Sequence, residues 1–141
     1  MKTRRGREGF TLIEVMVVMV ILAMLAGLVG PRLLRQTERA ELKAARTQIE
    51  MLGTALDIFR LDMGRYPTSQ EGLDALRRPV SGSARWDGPY LKKEVPSDPW
   101  QNAYLYKSPG QGGRPYDLSS YGPDGSPGGD GDGADINSWE G

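Results

Sequence analysis

The 141-residue chain contains no cysteine and no histidine. Without cysteine no disulfide can staple a small domain. Without histidine the commonest general base and metal ligand at neutral pH is missing. The scattered Ser, Lys, Asp and Glu residues assemble into no pairing of nucleophile and base, so the sequence does not read as an enzyme. No Lys or Arg follows Arg114. With no basic stripe and no nucleic-acid motif, nucleic-acid binding has no support. The formal net charge is zero, but the basic residues are front-loaded. Removing residues 1–9 takes away Lys2, Arg4, Arg5, Arg7 and Glu8 and leaves about three net negative charges. The length suits one small domain plus a membrane segment.

What the chain does have is a long apolar run near its start. From Phe10 to Gly30 the only clearly polar side chains are Thr11 and Glu14. About 20 apolar residues suffice for a helix to cross a bilayer core. The basic cluster before the run predicts a cytoplasmic N-terminus, with everything after Pro31 across the membrane. A secretory signal peptide has a shorter apolar region and a small-residue cleavage site, and neither is found here. Glu14 is the odd residue, because a carboxylate in lipid is costly and is normally paired or functional.

The basic leader ending in Gly9, followed by Phe10-Thr11-Leu12-Ile13-Glu14 and the apolar run, resembles the N-terminus of type IV pilins and type II secretion pseudopilins. The resemblance implies cleavage between Gly9 and Phe10 by a prepilin peptidase and N-methylation of Phe10. It also implies an assembly role for Glu14, whose carboxylate would meet the Phe10 amine of a neighbouring subunit. Gly27, Gly30 and Pro31 close the apolar run. A proline inside a helix removes one hydrogen bond and crowds the preceding turn, so either a simple kink or a region of local unwinding is expected here.

Beyond Pro31 a second pattern takes over. Leu42, Ala45, Ile49, Leu52, Leu56, Phe59 and Met63 follow a three-four spacing, with charged residues between them. That is an amphipathic helix with one buried face, and Gly64 supplies its stop. Thr68 and Glu71 read as a capping box for a short helix through Leu73 and Leu76. Pro79, Gly82, Gly88 and Pro89 mark irregular chain. Residues 103–107 and 116–120 read as two strands joined by a glycine-rich loop, a sheet small enough to need the helix as cover.

The middle of the chain carries a sharper resemblance. Arg65-Tyr66-Pro67-Thr68, Gly72-Leu73, Ala75-Leu76, Gly88-Pro89-Tyr90-Leu91-Lys92-Lys93, Val95-Pro96, Asp98-Pro99-Trp100 and Asn102 are similar to the major pseudopilin family of type II secretion systems (general secretion pathway protein G). The implied fold is α+β and type IV pilin-like, with a long spine helix packed on a small antiparallel sheet and a C-terminal calcium loop. The implied organisation is a leader at 1–9, a transmembrane and assembly half at 10–31, and a periplasmic domain at 32–141. Within that domain lie the amphipathic helix 32–63, an αβ-loop 64–102, a hairpin 103–120 and an acidic glycine-rich loop 121–141.

That last stretch interleaves Asp124, Asp130, Asp132 and Asp135 with six glycines from Gly122 to Gly133. Crowded carboxylates either stay solvated as an open acidic tail or take up a cation. Oxygen ligands on glycine-rich chain suit calcium better than magnesium, which demands stricter geometry. The spacing is neither an EF-hand nor a nonapeptide repeat. Ile136 and Trp139 follow the aspartates and would anchor the loop. The family resemblance implies structural Ca2+ held by Asp124, Asp135 and the Tyr121 carbonyl. Gly131 stands where some relatives place an aspartate, so Asp130 or Asp132 would substitute, with Ser126 adding a backbone oxygen. Many type IV pilins use a disulfide in this region; here the ion would replace it, since ligand binding couples directly to folding.

The function implied is a structural subunit of a pseudopilus, a homo-oligomeric helical filament that exports folded proteins from a Gram-negative cell. Its partners would be minor pseudopilins, an inner-membrane assembly platform and the prepilin peptidase. The chain would be a single-pass inner-membrane protein with a periplasmic C-terminal domain. A type IV pilin, or a membrane-anchored calcium-binding module that does not polymerise, is the alternative.

Overall fold

The computed structural model describes residues 9–140, apart from the side chain of Asp132. The chain divides into two units, one up to Thr37 and one from Glu38 onward. A single α-helix, α1 (Leu12–Met63), contributes to both.

Up to Thr37, α1 carries its apolar side chains exposed: Val15, Met19, Leu22, Leu25 and Leu28 are all open. This helix is long and apolar enough to cross a membrane. Its first turn is closed by a capping box. The Thr11 N–H and hydroxyl donate to Glu14 Oε2 at 2.9 and 3.0 Å, and the Glu14 N–H donates to Thr11 Oγ at 3.3 Å. Each group satisfies a donor that the helix start would otherwise leave orphaned. Pro31 lies inside the helix, which stays α-helical on both sides of it.

From Glu38 onward the three-four stripe does what its spacing predicts. Ala45, Ile49, Leu52, Leu56 and Phe59 are buried, with Ala55 beside them and Leu42 and Met63 packed at the ends. The helix stops at Gly64, which takes φ +74 while its N–H bonds the Arg60 carbonyl. A left-handed residue there costs glycine almost nothing.

Opposite the stripe lies a three-stranded antiparallel sheet in the order β1 (Leu105–Lys107), β2 (Asp117–Ser120), β3 (Ile136–Asn137). Leu105 pairs with Ser119 across β1–β2, and Ser120 pairs with Ile136 across β2–β3. Strand alternation turns Leu118 and Ser120 toward the core. Both predicted strands are shorter than their sequence runs, and β3 lies inside what reads in sequence as loop.

The αβ-loop closes the core from the side. The predicted capping box is present: the Thr68 N–H donates to Glu71 Oε2 at 2.7 Å and the Glu71 N–H to Thr68 Oγ at 3.2 Å. The helix it was expected to open is instead a 3-10 turn, Leu73–Leu76. Gly72, at φ +61, breaks helical geometry between the box and the turn, because no α-helix continues through a left-handed residue. Leu73, Ala75 and Leu76 are nevertheless buried. Arg65 clamps Glu71 with two hydrogen bonds of 2.7 and 2.8 Å. That clamp, helped by the Thr68 amide, pulls the Glu71 carboxyl down to about 2. Further along, Trp86 Nε1–H donates to the Ala75 carbonyl at 2.9 Å and the Tyr90 hydroxyl to Asp62 at 2.9 Å. Tyr90 also meets Phe59 edge to face, with ring centroids 5.5 Å apart.

Candidate functional site: the N-terminal processing motif and the C-terminal loop

Two regions carry the residues singled out in the sequence. At the N-terminus, residues 1–8 of the leader lie outside the described residues, while Gly9 and Phe10 precede the helix, in no helix or strand, and Phe10 is 88 % exposed. An accessible peptide bond between Gly9 and Phe10 is what a peptidase requires. Glu14 sits in the first turn of the helix and spends its carboxylate on Thr11. This intrachain role was legible as Thr-x-x-Glu but goes unnoticed beside the expected pairing between subunits.

The C-terminal loop spans 121–135 and is closed at its neck by the β2–β3 pair Ser120 and Ile136. The chain leaves Ser120 through a 3-10 turn, Gly122–Asp124, and returns through a second, Gly131–Gly133. The two arms touch closely. Gly122 takes φ +70, and a methyl added there would lie 3.1 Å from the Ala134 carbonyl oxygen. At Gly129, φ is +103 and an added methyl would overlap the Gly133 carbonyl oxygen and lie 3.5 Å from Asp124 Oδ2. Only glycine permits that approach.

Asp124 and Asp135 both turn into this loop. Asp124 Oδ1 accepts from the Ser126 N–H at 3.0 Å, leaving Oδ2 toward Gly129 and Gly133. Asp135 Oδ2 accepts from the Gly128 N–H at 3.0 Å. Asp135 Oδ1 is buried and has no hydrogen-bond partner among the described residues. An orphaned buried carboxylate oxygen is costly, and it is the kind of group a cation satisfies. Asp130 is exposed and sits at the start of the second turn, where its carbonyl accepts from the Gly133 N–H. Asp132 falls in the same turn, with its side chain outside the described residues. Tyr121 and Ser126 lie on the outgoing arm. Among the described residues no three carboxylates converge. Any ion here would draw much of its coordination from backbone carbonyls, which calcium accepts readily. The donor set fits a hard cation.

The loop is held from beneath by a buried network that the sequence did not announce. Asp98 and Ser120 are both inaccessible, and the Ser120 hydroxyl donates to Asp98 Oδ2 at 2.6 Å. Asp98 Oδ1 accepts from the Trp100 and Asn102 amides at 3.1 and 2.7 Å. Trp100 in turn donates from Nε1 to Glu41 Oε2 on α1 at 3.1 Å. A cavity of about 240 Å³ beside it is lined by Glu38, Glu41, Leu42, Trp100, Pro123 and Gly133. On the outer face of the sheet, the Arg114 guanidinium stacks 4.1 Å above the Trp139 ring and bonds Asp117 at 2.7 Å. Of the two residues expected to anchor the loop, Ile136 is buried, whereas Trp139 stays 40 % exposed and is covered on one face by Arg114.

Comparison with known proteins agrees with this architecture. Residues 32–139 match the family model described as type II secretion system (T2SS), protein G, and residues 4–30 match the prokaryotic N-terminal methylation motif. The chain is 47 % identical to the type II secretion system core protein G of Vibrio cholerae, over 99 % of this chain and 96 % of the relative. It is 43 % identical to the core protein G of Pseudomonas aeruginosa, over 97 % and 98 %. The crystal structure of the major pseudopilin from the type 2 secretion system of enterohaemorrhagic Escherichia coli superposes with a TM-score of 0.61 at 35 % identity. It covers 77 % of this chain and 95 % of that one. The long apolar helix packed through its second half on a small antiparallel sheet is the type IV pilin-like fold. The chain belongs to the type II secretion system protein G family and is a structural subunit of that system's pseudopilus.

Proposed function

We propose that the subunit is cut between Gly9 and Phe10, methylated on Phe10 and held in the inner membrane by the first part of α1. From there it polymerises into a periplasmic filament that drives export of folded proteins. The observation that carries this reading is the helix up to Thr37, whose apolar side chains are all exposed while the unit from Glu38 has a complete core of its own. Such a surface needs lipid before assembly and neighbouring copies after it. Minor pseudopilins, an assembly platform and the prepilin peptidase are the partners this life cycle requires.

Glu14 serves both stages. In the single chain its charge is partnered by Thr11, which eases the cost of a carboxylate near lipid. During packing it takes the Phe10 amine of the adjacent copy. Calcium acts as the clasp of the loop 121–135. Asp124 and Asp135 supply side-chain oxygens, the Tyr121 and Ser126 carbonyls supply backbone oxygens, and Asp130 or Asp132 completes the set in place of Gly131. The ion neutralises the loop's carboxylates and fastens the two arms, so its contribution is to stability.

Two measurements test the proposal. The intact mass of the mature protein should correspond to loss of residues 1–9 plus one methyl group. Glu14→Ala should give the same processed mass yet fail to form filaments. Normal filaments from Glu14→Ala would overturn the assembly role, and an uncut chain would overturn the life cycle.

A further inference from the structure

The buried pair Asp98 and Ser120 does more than close a turn. Asp98 is only 1 % exposed, and among the described residues it forms no ion pair. A buried carboxylate without a cation is expensive and needs its hydrogen bonds to persist. Two of them, from Trp100 and Asn102, tie the 98–102 turn. The third reaches 22 residues along the chain to Ser120.

That third bond sets a direction. A serine hydroxyl has one proton, and here it goes to Asp98, so Ser120 presents lone pairs on its other side. The Gly122 N–H donates to them at 3.1 Å. Because a trans peptide is planar with N–H and C=O opposed, anchoring the Gly122 amide inward aims the Tyr121 carbonyl the opposite way. Asn102, on the same turn, has its side-chain amide 3.5 Å from where a methyl on Gly125 would lie. The Asp98–Asn102 turn therefore holds the start of the Gly122–Asp124 segment through Ser120 and lies beside its end.

We propose that Asp98 is a positioning residue of the calcium loop: it orients Ser120, which fixes the Gly122 amide and so points the Tyr121 carbonyl at the ion. This rests on the calcium reading above, and Asp98 itself is no ligand. Groups that orient metal ligands are commonly worth 10–100-fold in affinity.

The test uses the full-length chain in detergent micelles, with calcium binding measured by calorimetry and amide hydrogen exchange followed in chelator. Ser120→Ala removes the acceptor for the Gly122 amide. Asp98→Asn keeps an oxygen for the two turn amides but presents an NH2 to Ser120. Ser120→Ala should bind calcium about tenfold more weakly and Asp98→Asn should shift in the same direction. Gly122 should lose exchange protection in both, while the amides of Leu52 and Leu56 keep theirs. A purely structural role would lower core protection and leave the affinity of the folded chain unchanged. Should Ser120→Ala lose its core, the near-isosteric Asp98→Asn carries the test alone. Wild-type binding with unchanged affinity in the folded variants overturns this proposal by itself. A wild-type chain that takes up no calcium overturns the calcium reading and this proposal with it.

Discussion

Replacing Asp135 with asparagine should change the sign of its effect on stability between calcium and chelator. In chelator, Asp135 Oδ1 is a buried charged oxygen with no hydrogen-bond partner among the described residues. Leaving a buried polar group unsatisfied costs about 1–3 kcal/mol. Asparagine keeps an oxygen for the Gly128 N–H and places a neutral NH2 where the unpartnered oxygen was, so the gain of Asp135→Asn in chelator comes from the lost charge alone and should be about 1 kcal/mol at most. For a folded unit of roughly 100 residues that raises Tm by no more than about 4–8 °C. In calcium the order reverses. An ion at about 100 times its Kd stabilises the wild type by about 2.7 kcal/mol, or roughly 10–20 °C, and a variant short of one carboxylate loses most of that. The assay is thermal unfolding of full-length wild type and Asp135→Asn in detergent, each with EGTA and with saturating calcium. A variant less stable than wild type by the same margin in both media would refute the reasoning, because it would make Asp135 an ordinary structural carboxylate.

Two further outcomes follow from the rest of the fold. Glu71 has its folded pKa lowered from 4.5 to about 2 by Arg65, so its stabilisation is complete above pH 4.5 and disappears as pH falls toward 2. Allowing for solvent screening at the partly exposed Arg65, about 1–2 kcal/mol is at stake. The Glu71→Gln variant should be less stable at pH 7 by that amount and converge on wild type near pH 2; parallel curves would remove the clamp from the account. Leu56→Ala, at a fully buried site, should cost about 2–5 kcal/mol in chemical denaturation. Leu61→Ala, where the side chain is 82 % exposed, should stay within about 0.5 kcal/mol, and equal losses would mean that the stripe does not define the core.

The parts of the fold legible in the sequence are those whose signal is local and repeated. Leu42 to Met63 repeats its spacing for six turns, and the buried set follows it, with Ala55 added and Leu42 and Met63 half-buried at the ends. Thr68 and Glu71 are three apart and meet as their spacing requires. The failures have local causes too. Gly72 takes a left-handed conformation and turns an expected helix into a 3-10 turn. A two-residue strand at Ile136–Asn137 is too short to show alternation, and it hides behind a glycine-rich stretch. Asp98 reads as part of an irregular Asp-Pro-Trp segment because its decisive partner, Ser120, is 22 residues away. In the loop, residue types pointed to oxygen chemistry, but which carboxylate oxygen is left without a partner depends on tertiary packing. The Thr11–Glu14 box was readable and was masked by a second role for the same residue.

The calcium-clasped subunit proposed above should assemble only with its ion bound. The most direct test is filament formation by the processed full-length chain, scored by electron microscopy in calcium and in EGTA. Filaments in calcium, their loss in EGTA and their absence for Asp124→Ala in either medium are the predicted result. Filaments of equal number and length in EGTA would contradict it.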